Sequence, residues 1–380
     1  MPTTTSNSAP VVSVMLIDDS AVVRGLLSRV LEEDPSIRVV ATASDGQQGL
    51  DALKKMSTPP DIIILDIEMP VMDGLTALPL ILKAAPGARV LICSTLSLKG
   101  ADVTMKALSM GAADTIAKPT AAGTIISSGG EFKENLIHMV KQIARASKKF
   151  STAAPATEEV ERTKKTGVPI VQFGQNKTIA LRDPRSAFSG KPAIVAIGSS
   201  TGGPPALFTV LKSCKDIDVP IVITQHMPPT FTAMLAKHIT ANTGLPAGEG
   251  LEGETLQPGQ VYIAPGGNHM TIKLEDGKPT IRLNQDPPEN FCRPAVDPMF
   301  RSLAQIYKNR ILAVILTGMG SDGYLSSKEL VEMGARLVAQ DEATSVVWGM
   351  PGTVATGGLC HAVLPLQDIG PMIYRTVMMR

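Results

Sequence analysis

The strongest constraint on what this chain can fold into is a repeated alternation of two patterns. Short apolar runs, Val12 to Ile17, Val39 to Ala43, Ile62 to Leu65, Val90 to Cys93 and Asp114 to Ala117, are separated by segments whose apolar residues recur at three and four positions, as in Val23, Leu26, Leu27, Val30 and Leu31. A short continuous apolar run suits a strand buried on both faces, and a 3.6-residue period suits a helix lying on that sheet, so the alternation predicts βα units on a parallel sheet. Phe132, Leu136, Met139, Val140 and Ile143 repeat the helical spacing and close a fifth unit near residue 145.

At 380 residues the chain is roughly 2.5 times the ~150 expected of one domain, which calls for a second. Between residues 146 and 190 periodic apolar residues give way to alanine, threonine, scattered proline and charge, with eight Lys or Arg against four Asp or Glu. That composition predicts a linker. A second α/β domain is expected over 191–380, with apolar runs at Ala193, Val219, Gln260, Ile311 and Ala335. One stretch breaks the pattern: Met270, Ile272 and Leu274 alternate before Asp276-Gly277, and Ile281 and Leu283 after it, which reads as an antiparallel hairpin on a mainly parallel sheet.

Charge and composition exclude some functions. A net charge of +1 provides no field to gather nucleic acid or an anionic membrane, and 3% aromatic residues are too few for base-stacking platforms. Neither a signal-peptide pattern nor a run of ~18 apolar residues is found, so a cytoplasmic protein without membrane insertion is expected, working as a monomer. The four cysteines, Cys93, Cys214, Cys292 and Cys360, are too far apart in sequence for a zinc or disulfide pattern and read as reduced thiols.

Ligands of an open parallel sheet bind beyond the carboxyl ends of its strands. In the first domain those positions hold Asp18 and Asp19 after the first strand, Asp66 at the end of the third, Ser94 and Thr95 after the fourth, and Lys118 before Pro119 after the fifth. Converging carboxylates repel unless a hard cation joins them, and Mg²⁺ prefers such oxygen ligands together with phosphate. Each aspartate alone is more often a helix cap. Together, with Met69-Pro70 and Asp73-Gly74 in the next loop, they resemble the response-regulator receiver family. The resemblance covers 12–145 and implies Asp66 as phospho-acceptor, Asp18, Asp19 and Asp66 as Mg²⁺ ligands, and Lys118 as phosphate partner. It also implies Ser94, rather than Thr95, as the switch hydroxyl.

In the second domain, Gly198-Ser199-Ser200-Thr201-Gly202-Gly203 joins a strand to a helix, an arrangement that cradles an anion, presents a nucleophilic serine, or is simply a tight turn whose hydroxyls cap the helix. The next strand ends in Gln225-His226, and a later one leads into Gly318-Met319-Gly320-Ser321-Asp322-Gly323. Serine, histidine and aspartate thus follow three separate strands, in an order unlike the Ser, Asp, His of α/β-hydrolases. Elsewhere, His269 is open to a cleft-lining or a structural role, and His138, His238 and His361 read as surface or capping residues.

GSSTGGPPAL, TQHMPPTFT, APGGNHM, RPAVDPMF, LTGMGSDG and TSVVWGMPG together resemble the methylesterase domain of the chemotaxis protein-glutamate methylesterases. That resemblance implies Ser200 as nucleophile, His226 as general base, Asp322 as its orienting carboxylate, the backbone amides of His226 and Met319 as oxyanion donors, and Thr201 as a neighbour supporting the histidine. It requires no metal or other cofactor in this domain. It further implies hydrolysis of glutamyl methyl esters on chemoreceptor cytoplasmic domains, deamidation of receptor glutamines, a chemotaxis histidine kinase as phosphodonor, and a receiver that covers the Ser200 cleft until Asp66 is phosphorylated. Two departures stand out: Cys292 where many relatives carry histidine, and Tyr324 in place of a small residue, bulky enough to narrow the cleft or to leave it unchanged. The competing reading is a response regulator whose second domain only binds a partner or phosphorylated ligand through its glycine-rich loops, and such a module has no need of His226 or Asp322.

Overall fold

The structure, a computed structural model, describes residues 11–95, 97–118, 129–151, 161–162, 169–173 and 177–378. The first ten residues, Pro119 and much of the expected linker lie outside them. Two compact units result, Met1–Thr152 and Ala153–Arg380.

In the first unit, strands β1 (Val12–Ile17), β2 (Ile37–Ala43), β3 (Ile62–Asp66), β4 (Arg89–Ser94) and β5 (Asp114–Ala117) alternate with helices α1 (Ala21–Glu32), α2 (Gly46–Lys55), α3 (Gly74–Ala84), α4 (Leu98–Ser109) and α5 (Gly129–Ser151). The sheet is parallel throughout in the order β2-β1-β3-β4-β5. Ser20, Asp45, Asp73 and Ser97 cap α1 to α4, each side chain accepting the backbone N–H three residues on. Such caps replace hydrogen bonds that the first helical turn cannot make internally. Because the chain leaves β1 in both directions, β1 and β3 flank the crevice where a ligand site is expected.

The second unit opens with a small antiparallel sheet of β6 (Glu161–Arg162), β7 (Pro169–Phe173) and β8 (Lys177–Ala180). The segment expected as a linker therefore carries regular structure: α5 runs on to Ser151, and Ile179 and Leu181 are buried in the core of the second unit. The main sheet has seven parallel strands, β9 (Ile194–Ser199), β10 (Ile221–Gln225), β11 (Ala247–Glu249), β12 (Val261–Ile263), β15 (Ile311–Ile315), β16 (Arg336–Gln340) and β17 (Ala362–Leu364), in the order β11-β12-β10-β9-β15-β16-β17. Helices α6 (Gly203–Leu211), α7 (Phe231–Thr243), α8 (Val296–Tyr307), α9 (Tyr324–Glu332), α10 (Met350–Thr356) and α11 (Leu366–Met378) accompany it.

The hairpin forms as expected from β13 (His269–Glu275) and β14 (Lys278–Asn284). Asp276 and Gly277 both adopt positive φ, 48° and 74°, as a tight turn with the twist of a hairpin demands. Strands β11 and β17, of three residues each, were too short to leave a periodic signal.

The strand order puts β10, β9 and β15 side by side, so the loops that follow them meet at one edge of the sheet. Helix α8 packs on this region with Phe300 wholly buried. Phe300→Ala should destabilise the second unit by about 3–5 kcal/mol, read as a lower denaturation midpoint for its transition.

Candidate functional site

Beyond the carboxyl ends of β1 and β3, ligand oxygens of Asp18, Asp19 and Asp66 all lie within 4.8 Å of one another. Asp18 and Asp66 are buried, Asp19 exposed. Lys118 reaches in from the end of β5, its Nζ 2.6 Å from Asp66 Oδ2 and 3.5 Å from Asp18 Oδ2. Asp66 Oδ1 accepts the amide of Ile67 at 2.7 Å. Burial raises the Asp66 pKa and outweighs the stabilisation of its charge by Lys118; Asp18 adds to the rise. Buried Asp18 Oδ2 makes no hydrogen bond, so one carboxylate oxygen has only the longer ion pair to offset its desolvation. A hard divalent cation fits that donor set.

Ser94 and Thr95 both line a small pocket with Asp66, Gly100 and Lys118. The Ser94 hydroxyl is buried and donates weakly, to the carbonyls of Thr95 at 3.2 Å or Gly100 at 3.3 Å, whereas Thr95 is exposed and pairs with Ser97. Gly74 is confined by contact: a Cβ there would sit 2.1 Å from the Asp66 carbonyl oxygen.

In the second unit Ser200 follows β9, His226 follows β10, and Asp322 lies in the loop after β15. His226 Nε2 and Asp322 Oδ2 are 2.7 Å apart. Asp322 also accepts the amides of Val296 (2.6 Å), Asp297 (3.1 Å) and Gly323 (2.9 Å) and the Asn290 side chain (3.0 Å). Val296 and Asp297 begin α8, which has no side-chain cap of its own. Asp322 supplies that cap from a distant loop, where the helix N-terminus favours a negative charge. Burial works to raise the Asp322 pKa, but the His226 hydrogen bond and charge and the two α8 amides hold it below the ordinary carboxylate value. For His226, burial favours the neutral ring; Asp322 and Cys292 together outweigh it and raise the pKa.

Gln225, buried, ties the serine and histidine loops together. Its Nε2 donates to the carbonyls of Ser200 (2.9 Å) and His226 (3.2 Å), while its Oε1 accepts from Ser199 Oγ at 2.7 Å. The Ser200 amide donates to the Thr317 carbonyl at 3.0 Å, and a Cβ on Gly318 would come within 2.9 Å of Ser200 Cβ.

Not every expectation about the site is met. No hydrogen bond joins Ser200 to His226 among the described residues; Nδ1, the ring nitrogen turned away from Asp322, instead faces Cys292 Sγ at 3.4 Å. The His226 amide is not available to an oxyanion, since it donates to the Ser199 carbonyl at 3.1 Å where the β9–β10 pairing runs one residue past the strands. By contrast, the Thr201 amide, the first after Ser200 and just ahead of α6, donates no hydrogen bond among the described residues. The Thr201 carbonyl accepts the Thr317 hydroxyl at 2.9 Å. Tyr324 starts α9 and packs on the hydrophobic core, against Gly357, where a Cβ would lie 2.7 Å from its ring.

His269 is structural, buried and accepting the Ala295 amide at Nδ1. His361 is buried, not on the surface, and burial pushes its pKa down to about 4. Gln225, Asn290 and Asp297 were missed because amides and a helix-start aspartate give no signal of their own in one sequence. For Thr201 the signal was present in the glycine-rich turn before a helix.

A receiver-type parallel α/β unit with an acid pocket and lysine, followed by an α/β unit carrying a histidine–aspartate pair beside a serine loop, defines a response regulator with a serine-hydrolase-like output domain. Family models match accordingly: the response regulator receiver domain over residues 14–128 and the CheB methylesterase over 195–373. The protein-glutamate methylesterase/protein-glutamine glutaminase 1 of Paramagnetospirillum magneticum is 50% identical over 373 residues, 96% of each chain. The corresponding protein of Azospirillum brasilense is 50% identical over 378 residues, covering 98% of this chain and 94% of its own. The crystal structure of the Thermotoga maritima CheB methylesterase catalytic domain aligns at 42% identity with a TM-score of 0.47, over 49% of this chain and 98% of that one. The chain belongs to the protein-glutamate methylesterase/protein-glutamine glutaminase family. Its reaction is hydrolysis of protein glutamyl methyl esters under phosphorylation control in chemotaxis.

The His226 imidazole should titrate above the ordinary histidine value, and Asp322→Asn should bring it down by removing the partner charge. Histidine NMR over a pH series, assigned with His226→Gln, checks this; titration at or below the ordinary value contradicts it.

Proposed function

We propose that Ser200, His226 and Asp322 act as nucleophile, general base and orienting carboxylate in demethylating glutamyl esters on chemoreceptor cytoplasmic domains. The observation that carries this reading is the 2.7 Å His226–Asp322 pair, anchored on the α8 amides and tied through Gln225 to the serine loop. A module that only binds ligands has no use for it.

Ser200 Oγ attacks the ester carbonyl carbon while His226 takes its proton, and Asp322 stabilises the imidazolium. The tetrahedral oxyanion is met by the amides of Thr201 and Met319, the Thr201 amide replacing the engaged amide of His226. Collapse expels methoxide, which leaves as methanol with the proton from His226. Water then repeats the sequence on the acyl-serine and frees the glutamate. A glutamine side chain follows the same course with ammonia as leaving group.

In the receiver, Asp66 takes the phosphoryl group from a chemotaxis histidine kinase in the cytoplasm. Receiver domains bind Mg²⁺, and here Asp18, Asp19 and Asp66 would hold it; when bound it supplies positive charge to the phosphoryl oxygens. Lys118 turns its ammonium from the Asp66 carboxylate to the phosphoryl oxygens, and Ser94 donates a hydrogen bond.

Ser200→Ala should cut methanol release from a methylated receptor cytoplasmic fragment by about 10³-fold or more. A variant with most of the wild-type rate would favour the binding-module reading. Asp66→Asn should release methanol at one rate with or without acetyl phosphate and Mg²⁺; stimulation equal to wild type would remove Asp66 from the switch.

A further inference from the structure

Nδ1 of His226 is the nitrogen through which the base must act, because Nε2 is engaged by Asp322 at 2.7 Å. Yet the atom facing Nδ1 is Cys292 Sγ, at 3.4 Å, and not the Ser200 hydroxyl. The loop that delivers the thiol is built to stay in place. Glu289 and Cys292 exchange backbone hydrogen bonds, N to O at 3.1 Å and 2.9 Å, closing the turn. Arg301 of α8 pairs with Glu289 at its base. Inside the turn, Asn290 at φ 51° donates to both Asp297 (3.1 Å) and Asp322 (3.0 Å). One loop therefore holds both members of the His226–Asp322 pair, Asn290 on the carboxylate and Cys292 on the ring.

We propose that Cys292 is a positioning residue that keeps Nδ1 of His226 engaged in a resting arrangement, and that it must yield this nitrogen to the Ser200 hydroxyl before acylation. This rests on the triad reading above. A thiol is suited to the task because sulfur is a weak hydrogen-bonding partner, so the contact orients the ring yet is displaced at small cost. Either protonation state of the ring is served. A protonated ring donates Nδ1–H to sulfur, and a neutral one accepts S–H. Of the charged groups around the ring, Asp322 faces it directly, Asp297 of α8 stands behind Asp322, and Arg293 is directed away on to the carbonyls of Gln285 and Asp286. Cys292 acts alongside Asp322 in raising the His226 pKa, so removing the thiol makes the ring easier to deprotonate. The other cysteines, Cys93, Cys214 and Cys360, are buried, whereas Cys292 is partly exposed.

The test compares Cys292→Ala and Cys292→Ser with wild type for methanol release from the methylated receptor fragment, across pH, with Ser200→Ala in parallel. Cys292→Ala should raise kcat near neutral pH by about two- to tenfold, the size of one modest hydrogen bond, with KM unchanged and the midpoint of the pH profile moved down. Cys292→Ser keeps a hydrogen-bonding group on Nδ1 and should be no faster than wild type. Alanine and wild-type enzymes with the same kcat and pH midpoint would overturn the proposal, as would a slower Cys292→Ala restored by serine. Should the variants fold poorly, judged by thermal melting, iodoacetamide on the intact wild-type chain gives a second reading. The Cys292 sulfur displaces iodide to form a thioether, and esterase activity should be lost with labelling at Cys292 alone. Full activity in the labelled enzyme would overturn the proposal. An active Ser200→Ala would fell the triad reading and this one with it, whereas an inactive Ser200→Ala beside indifferent Cys292 variants defeats this one only.

Discussion

The second unit is organised around one buried charge, the Asp322 carboxylate. An ionised carboxylate out of water is costly unless nearly every lone pair finds a donor, and this one has five: His226, Asn290, Gly323 and the amides of Val296 and Asp297 that open α8. The helix gains a cap that its own sequence lacks at Ala295, and the histidine gains a fixed orientation. Structural and chemical demands are thus met by one group. Asp297, the second residue of α8, is treated differently: burial raises its pKa, opposed by hydrogen bonds from Ser326 and Asn290, and the neighbouring Asp322 adds to the rise. Two adjacent carboxylates are pushed apart in affinity for protons, and the one held below the ordinary value is the one on the histidine.

The receiver unit uses a related device with the opposite sign of balance. Asp18, Asp19 and Asp66 gather negative charge at the β1–β3 crevice, and Lys118 supplies one cation for it. That leaves an excess of negative charge and an Asp18 oxygen without a hydrogen bond, a donor set that a divalent cation would fit. Asp66 reaches this place because Gly74 lets the following loop fold back on the Asp66 carbonyl, which accounts for Asp73-Gly74 in the sequence beyond its use as a helix start.

Much of this is legible in the sequence itself, for physical reasons. Parallel strands buried on both faces announce themselves as apolar runs, so β1 and β5 fall where the pattern put them, and Asp276-Gly277 named its own turn. Residues at strand ends are where ligand chemistry must lie, so Asp18, Asp66, Lys118, Ser200, His226 and Asp322 could be picked out in order. What escaped depends on distance in sequence. That Gln225 spans two loops, that Asp322 caps α8, and that the His226 amide is consumed by Ser199 are facts of register and packing, and no local pattern encodes them. Strands as short as β11 and β17 carry too few residues to show a period, and β6 to β8 fall in a segment whose composition reads as linker.

The two departures noted in the sequence illustrate how a structure separates accommodation from function. Tyr324 is a large residue in place of a small one, and the space it needs is supplied by Gly357 at the end of α10, where any side chain would collide with the ring. The ring is accommodated on the core. The Cys292 sulfur meets the His226 ring itself, from a loop whose Asn290 side chain donates to the Asp322 carboxylate. A residue held against the His226 ring by a closed turn with an ion pair at its base bears on the ring itself rather than on the packing around it.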